Sequence, residues 1–492
     1  MSESHSSTSH TGLGSLAPRQ WANLAMLTLS MFIIVLDVTV VLIALPAIRQ
    51  DLGASLDLAA WVPGAFILTF AGLLLLFGKL ADLYGRRRLF VIGMTVFTLA
   101  SVASAVAPSI EILIGARVVQ GIGAAIVEPA IIAVIKATFP SGKLGLAFGI
   151  EGQAAGLASV VGPIVGGLLT SSLGWESIFW INVPIGVVAV AMALLLIPES
   201  RDEHASRRID LPGVIFSGGG LFALVFAIVE GQRFGWASPV IVGSFVAAVL
   251  LLALFIVTER RVRNPLVDLE LFSDRLFSVG CFLRGAGEFV SAGIFLPLLF
   301  FMQAQLGYSA LQSGLLLLPI IVGAAATGPL AGALSDRVDL RWLVIPAFLV
   351  AGAGLFWLAH LSPDKEWTFF IAPLAIIGAG LGAQYGPTTS GALRNIPTAR
   401  SGIASAVSYA AVTLGFELGI VVTSAVQQTQ TTPEVTAVEA ANTAILACGA
   451  ITLVGAIVAV FFTTNRYRHV TPATSHPNTT ADDTGSQTTP EI

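Results

Sequence analysis

Seven ionisable residues stand inside long apolar runs: Asp37, Arg117, Glu128, Glu151, Arg284, Glu288 and Glu417. A charge at the middle of a helix in hydrocarbon costs at least about 2.5 kcal/mol on insertion scales, so each needs a partner, a proton or a wet cavity. Arg117 and Glu128 are eleven residues apart. That is close to three helical turns and puts both on one face, roughly 16 Å apart in depth. Gly121 and Ala124 lie between them on the same stripe, which suits a cavity wall or a salt bridge that fixes packing. Arg284 and Glu288 are four apart, one turn along a face, and read as an intrahelical ion pair; the alternative is a pair that breaks to open a gate. Glu417 has no basic residue within a turn and could carry a proton or sit neutral and inert, and Glu151 lies nearer the end of its run. Asp37 reads either as a functional acid or as a packing residue bonded to Thr39 or a neighbouring hydroxyl. Five acids against two bases favour cations in any cavity they share, unless protons cancel the excess.

Other chemistry is poorly supplied. No GxxxxGK[ST] phosphate loop is present, and the six histidines fall in tails, a loop or the end of a run. Cys281 and Cys448 lie in apolar runs and read as packing residues. Neither a metal, a cofactor nor an enzymatic nucleophile–base pair is called for.

The elements that must hold the seven charges are membrane helices. Of 492 residues 55% are hydrophobic and only 11% charged, against about 25% charged in a soluble domain. A net charge of −4 gives no footing for nucleic acid. Crossing the hydrocarbon core takes about 20 apolar residues. Fourteen such runs appear, near 22–45, 60–80, 89–107, 111–135, 145–170, 178–197, 211–230, 239–259, 276–302, 312–334, 342–360, 367–392, 401–425 and 441–464. With the N-terminus in the cytoplasm, Arg49, Arg233 and Lys365 fall outside and Arg117 and Arg284 within spans. All the other Lys and Arg fall inside, as the positive-inside rule requires. Both termini are therefore expected in the cytoplasm, with the first run a membrane helix and not a cleaved leader.

The segments GKLADLYGRRR (Gly78 to Arg88) and GALSDRVDLRW (Gly332 to Trp342) align, Asp82 on Asp336 and Arg87 on Arg341. They follow the second and tenth spans, which implies two six-helix halves with spans seven and eight inserted, and a substrate held between the halves. The expected organisation is a disordered cytoplasmic tail 1–20, a bundle 21–200, two inserted helices with linkers 201–262, a second bundle 263–468 and a disordered tail 469–492.

The motifs resemble the major facilitator superfamily, and within it the fourteen-span drug/proton antiporter branch. LDVTVVLIALPAI (Leu36 to Ile48), GKLADLYGRRR, LIGARVVQGIGAA (Leu113 to Ala125), GLASVVGPIVGGLL (Gly156 to Leu169) and WESIFWINVPIG (Trp175 to Gly186) carry the likeness, in order and on the matching spans. It implies an all-α, fourteen-helix plasma-membrane antiporter, monomeric, that exports amphipathic or cationic compounds in exchange for protons. A dedicated exporter of one secondary metabolite or lipid is the alternative, and a non-transporting scaffold or sensor a remoter one. It also implies cation recognition or coupling at Asp37 and a proton-releasing influence of Arg117. A gating loop would run through Gly78, Asp82, Gly85, Arg86 and Arg87, and an antiporter motif through Gly156, Gly162, Pro163, Gly166 and Gly167. Leu42, Pro63, Gly64, Glu176, Glu151 and Glu417 depart from the branch's usual residues.

Overall fold

Inside a bilayer a chain must satisfy its own backbone hydrogen bonds, and apolar runs of this length do so as helices. The computed structural model describes residues 17–201, 210–262, 264–430 and 437–462, and no strand occurs among them. The helices are α1 (Pro18–Asp51), α2 (Leu56–Tyr84), α3 (Arg86–Ala105), α4 (Ile110–Thr138), α5 (Leu144–Leu173), α6 (Ser177–Leu196) and α7 (Leu211–Phe234). There follow α8 (Pro239–Glu259), α9 (Arg275–Gln305), α10 (Gln312–Ser335), α11 (Arg341–Leu358), α12 (Thr368–Leu393), α13 (Ser401–Gln430) and α14 (Ala437–Ala459). Thirteen are long and apolar enough to cross a membrane; α5, bent by 43° between Ser159 and Val161, makes fourteen. The bend lies just before Pro163, which has no N–H for the ladder. The first tail as expected overlaps α1, which already begins at Pro18. Residues 1–16, 202–209 and 469–492 of the expected tails and linker lie outside the described residues.

Local chemistry sets the helix starts. Ser55, Asp210 and Asp274 accept from the amides of Leu58, Gly213 and Phe277, capping α2, α7 and α9. Between α2 and α3 the chain turns at Gly85 with φ +112°, and the Glu199 carboxylate fills the space a side chain there would need.

The packing repeats itself. α1 lies on α5 and α6, α2 and α3 on α4, and α3 on α6; eight helices later α9 lies on α13 and α14, α10 and α11 on α12, and α11 on α14. The two groups meet where α5 touches α10 and α12 and where α2 and α4 touch α13. α7 rests on α2 and α13, with α8 outside it. The apolar stretch of α4 is 83% buried, against 17% for α8, so α4 faces protein and α8 faces lipid.

Candidate functional site

Where the two groups of helices face each other they leave a cavity of about 200 Å³. Its wall is apolar and aromatic, with Met31, Phe66, Phe70, Phe295 and Phe416 contributing. Into this wall are set the polar groups of Glu128, Gln153, Glu288, Gln384, Tyr385, Tyr409 and Glu417. The residues come from α1, α2, α4 and α5 on one side and α9, α10, α12 and α13 on the other.

Asp37 and Arg117 are not among the lining residues. They form a sealed network. Arg117 Nη1 donates to Asp37 Oδ2 at 2.5 Å and to Gln120 Oε1 at 2.6 Å. Asp37 Oδ1 accepts from Gln120 Nε2 at 2.9 Å and from Asn182 Nδ2 at 2.7 Å, and Asn182 also reaches Ser101 Oγ. The guanidinium stands 4.5 Å from the centroid of the Phe66 ring, a cation–π contact that closes the network toward the cavity. The alternative bond from Asp37 to Thr39 is not made: Thr39 donates back to the Leu36 carbonyl. The expected cavity wall along the Arg117–Glu128 stripe is not seen over its whole length, since only Glu128 lines the cavity. The three turns between them span the depth from the Asp37 network to the cavity.

The second cluster is less satisfied. Glu128 of α4 and Glu151 of α5 are fully buried, and among the described residues neither carboxyl makes a hydrogen bond within 3.5 Å. Arg284 of α9 donates from Nη1 to Ser408 Oγ at 2.5 Å, while its Nε and Nη2 have no partner. The expected Arg284–Glu288 ion pair is not formed: the guanidinium turns to α13 and lies 5.6 Å from the centroid of the Tyr385 ring. Arg284 and Glu288 act electrostatically on Glu151, and Glu151 and Arg284 on Glu128, while the Tyr385 hydroxyl faces Glu151 and the Tyr409 hydroxyl faces Glu128. Glu417 lies on the cavity wall, 7% exposed, apart from this group.

At one end of the molecule the two groups of helices are clamped. Asp82 accepts from the first amides of α13, Gly402 N at 2.9 Å and Ile403 N at 3.0 Å. A carboxylate belongs at a helix N-terminus, where the macrodipole is positive. Arg86 bridges Asp82 at 3.0 Å and donates to the Thr398 carbonyl. Lys136, at the end of α4, donates to Leu393 O at 2.5 Å and to Ile396 O, a cation at the C-terminus of α12. Gly78 sits where the Ala406 side chain and the Gly402 backbone leave no room for a Cβ. Arg87 is held from its own group: the amides of Arg87 and Arg88 donate to Glu199 at 3.2 Å. Asp336, the repeat mate of Asp82, lies against the Gly145 amide at the start of α5, and burial pushes its carboxyl up to about 6 against the pull of that amide, Arg394 and Lys143.

The antiporter-motif residues divide. Gly162 faces Thr39 with no room for a Cβ, and Gly166 would bring one within 3.1 Å of Val40 Cα, so both fit α5 to α1. Gly156 lines the cavity and Gly167 faces open space. Sequence reasoning missed Gln120, Asn182, Lys136, Tyr385 and Tyr409; the first two are uncharged polar residues within apolar runs, a weak signal that only Gln120, one turn from Arg117, makes legible.

Two pseudo-equivalent six-helix groups closing on a central polar-spotted cavity define a membrane transporter. The sequence model of the Major Facilitator Superfamily matches residues 27–420, and the chain belongs to that family. It is 36% identical over 408 residues to the puromycin resistance protein of Streptomyces alboniger, covering 82% of this chain and 81% of that one. It is 32% identical over 417 residues to the tetracenomycin C resistance and export protein of Streptomyces glaucescens, covering 85% and 78%. Among solved structures, the proton:xylose symporter XylE superposes with a TM-score of 0.65 at 16% identity over 90% of this chain and 95% of that one, a likeness of fold.

Proposed function

We propose that the protein exports small amphipathic or cationic compounds, antibiotics among them, across the plasma membrane in exchange for protons. The observation that carries this reading is the set of carboxyls, Glu128, Glu288 and Glu417, in an otherwise apolar and aromatic cavity between the two helical groups. Apolar walls take lipophilic rings with loose specificity; carboxyls in low dielectric take either a proton or an organic cation. The clamped end, with Asp82, Arg86 and Lys136, is the cytoplasmic gate, both termini are cytoplasmic, and one chain suffices. The halves are 21–200 and 263–468, with 201–262 inserted between them.

The test is uptake of ethidium into inside-out proteoliposomes under an imposed pH gradient. Accumulation should require the gradient and fall when Glu128 and Glu288 are changed to Gln. Accumulation that ignores the gradient would sink the antiport reading. A second reading, a dedicated exporter of one secondary metabolite, draws support from the two relatives above, each named for a single antibiotic. A panel of substrates separates them: one compound moved, or many.

A further inference from the structure

The four acids of the central region do not occupy one site. Glu128, Glu288 and Glu417 line the cavity, and Glu151 does not. On α5, residues 152, 153 and 155–157 face the cavity, whereas Gly145 and Gly149 pack against Gly332 and Gly328 of α10 at the clamped end. A Cβ on Gly149 would stand 2.8 Å from the Gly328 carbonyl, so this seal excludes even a methyl group without displacement. Glu151 lies between seal and cavity. The Tyr385 ring fills the space beside Gly152, forming the cavity floor over it.

Charge balance then constrains the cluster. Glu128, Glu151 and Glu288 share one guanidinium, Arg284, brought by the opposite group of helices from Glu151. The titratable groups that reach Glu151 are Arg284 and Glu288 on α9, Tyr385 on α12, Tyr409 on α13 and Glu128 on α4. α1 and α10, packed on α5, bring none to Glu151: Asp37 is engaged by Arg117, and Asp336 lies against the Gly145 amide at the start of α5. An uncompensated charge buried without hydrogen bonds is strongly disfavoured. One guanidinium therefore supports one ionised carboxyl, and the others hold protons or face a bound cation.

We propose that Glu151 is a proton-only site, separate from the substrate cavity and placed to discharge toward the clamped end. The inference rests on the antiport reading above. A proton leaves a cavity carboxyl, Glu128 or Glu288, and is bound by the Glu151 carboxylate. The negative charge moves the opposite way, into the cavity, where Arg284 or a cationic substrate compensates it. When α5 and α10 part at Gly145 and Gly149, Glu151 meets water on that side, releases its proton, and the cavity acids are free to reload. Substrate and proton thus compete at Glu128 and Glu288 but not at Glu151.

The experiment uses the full-length protein in proteoliposomes with ethidium as probe. Glu151→Gln should bind ethidium with wild-type affinity and exchange it across a zero gradient, yet lose gradient-driven accumulation; Glu128→Gln should weaken binding itself. Uphill accumulation by Glu151→Gln equal to wild type overturns the proposal. So does lost ethidium binding in a Glu151→Gln protein of wild-type melting temperature, which would put Glu151 in the substrate site. Glu151→Asp keeps a titratable group and guards against misfolding: a shifted dependence of accumulation on luminal pH supports the proposal, and an unchanged one overturns it. Wild-type protein indifferent to the gradient fails earlier and takes the antiport reading with it.

Discussion

Asp37 accepts hydrogen bonds from Arg117, Gln120 and Asn182, three residues on two other helices. Both carboxylate oxygens are held in this way, and removing the Asp37 charge leaves the Arg117 guanidinium buried without its ion-pair partner. Breaking a buried pair costs about 3–5 kcal/mol, whereas replacing both partners is much milder. Asp37→Asn should therefore lower the melting temperature of the detergent-purified protein sharply, and Asp37→Asn with Arg117→Gln should recover part of the loss. A full recovery of transport by Asp37→Asn alone, at wild-type stability, would contradict the sealed-network reading. The sequence made the charges legible, because an acid or arginine in an apolar run stands out. It did not show which acid finds which base. Arg284 has Glu288 one turn away yet turns to Ser408, 124 positions on, because the tertiary contact outcompetes the local one.

Helices are the level at which the sequence reads best and the bends read worst. Length and apolarity mark fourteen segments, while the caps at Ser55, Asp210 and Asp274 emerge only in the structure. The π-helical turn Phe301–Gln305 that ends α9 carries no pattern in its residues. Within α5 the glycines look alike in the sequence and differ in what they touch. Gly162 and Gly166 press on Thr39 and Val40, so an added methyl overpacks the α1–α5 contact. Overpacking of this kind costs about 1–3 kcal/mol. Gly162→Ala should lower thermal stability and expression, whereas Gly167→Ala, facing open space, should leave both unchanged and gain a little from helix propensity. Equal effects of the two substitutions, measured by fluorescence-detected melting, would show that the segment acts through flexibility and not through packing.

At the scale of the whole molecule, the two helical groups are held at one end by groups that answer helix dipoles across their interface. Asp82 meets the positive start of α13, Lys136 the negative end of α12, and Asp336 the start of α5. The repeat of GKLADLYGRRR in GALSDRVDLRW is thus the sequence trace of a structural symmetry: each half sends an acid to the fifth helix of the other. Lys136 has no repeat signature and was legible only as one more positive charge on the inner side. Because the contacts are charge-assisted and cross between rigid groups, removing one should shift the balance between closed and open ends without unfolding either group. Ser335, 1% exposed within the seal, is a place to read that balance. In a background with Cys281 and Cys448 changed to Ser, a cysteine at Ser335 should react slowly with a membrane-impermeant maleimide applied to inside-out vesicles. Adding Lys136→Met or Asp82→Asn should raise its rate about tenfold or more, the size that losing one charge-assisted bond of about 1.5–3 kcal/mol predicts. Lys136→Arg, which keeps a cation at the end of α12, should restore protection. Slow labelling in both charge-removing variants would mean that the glycine seal between α5 and α10 closes this end unaided.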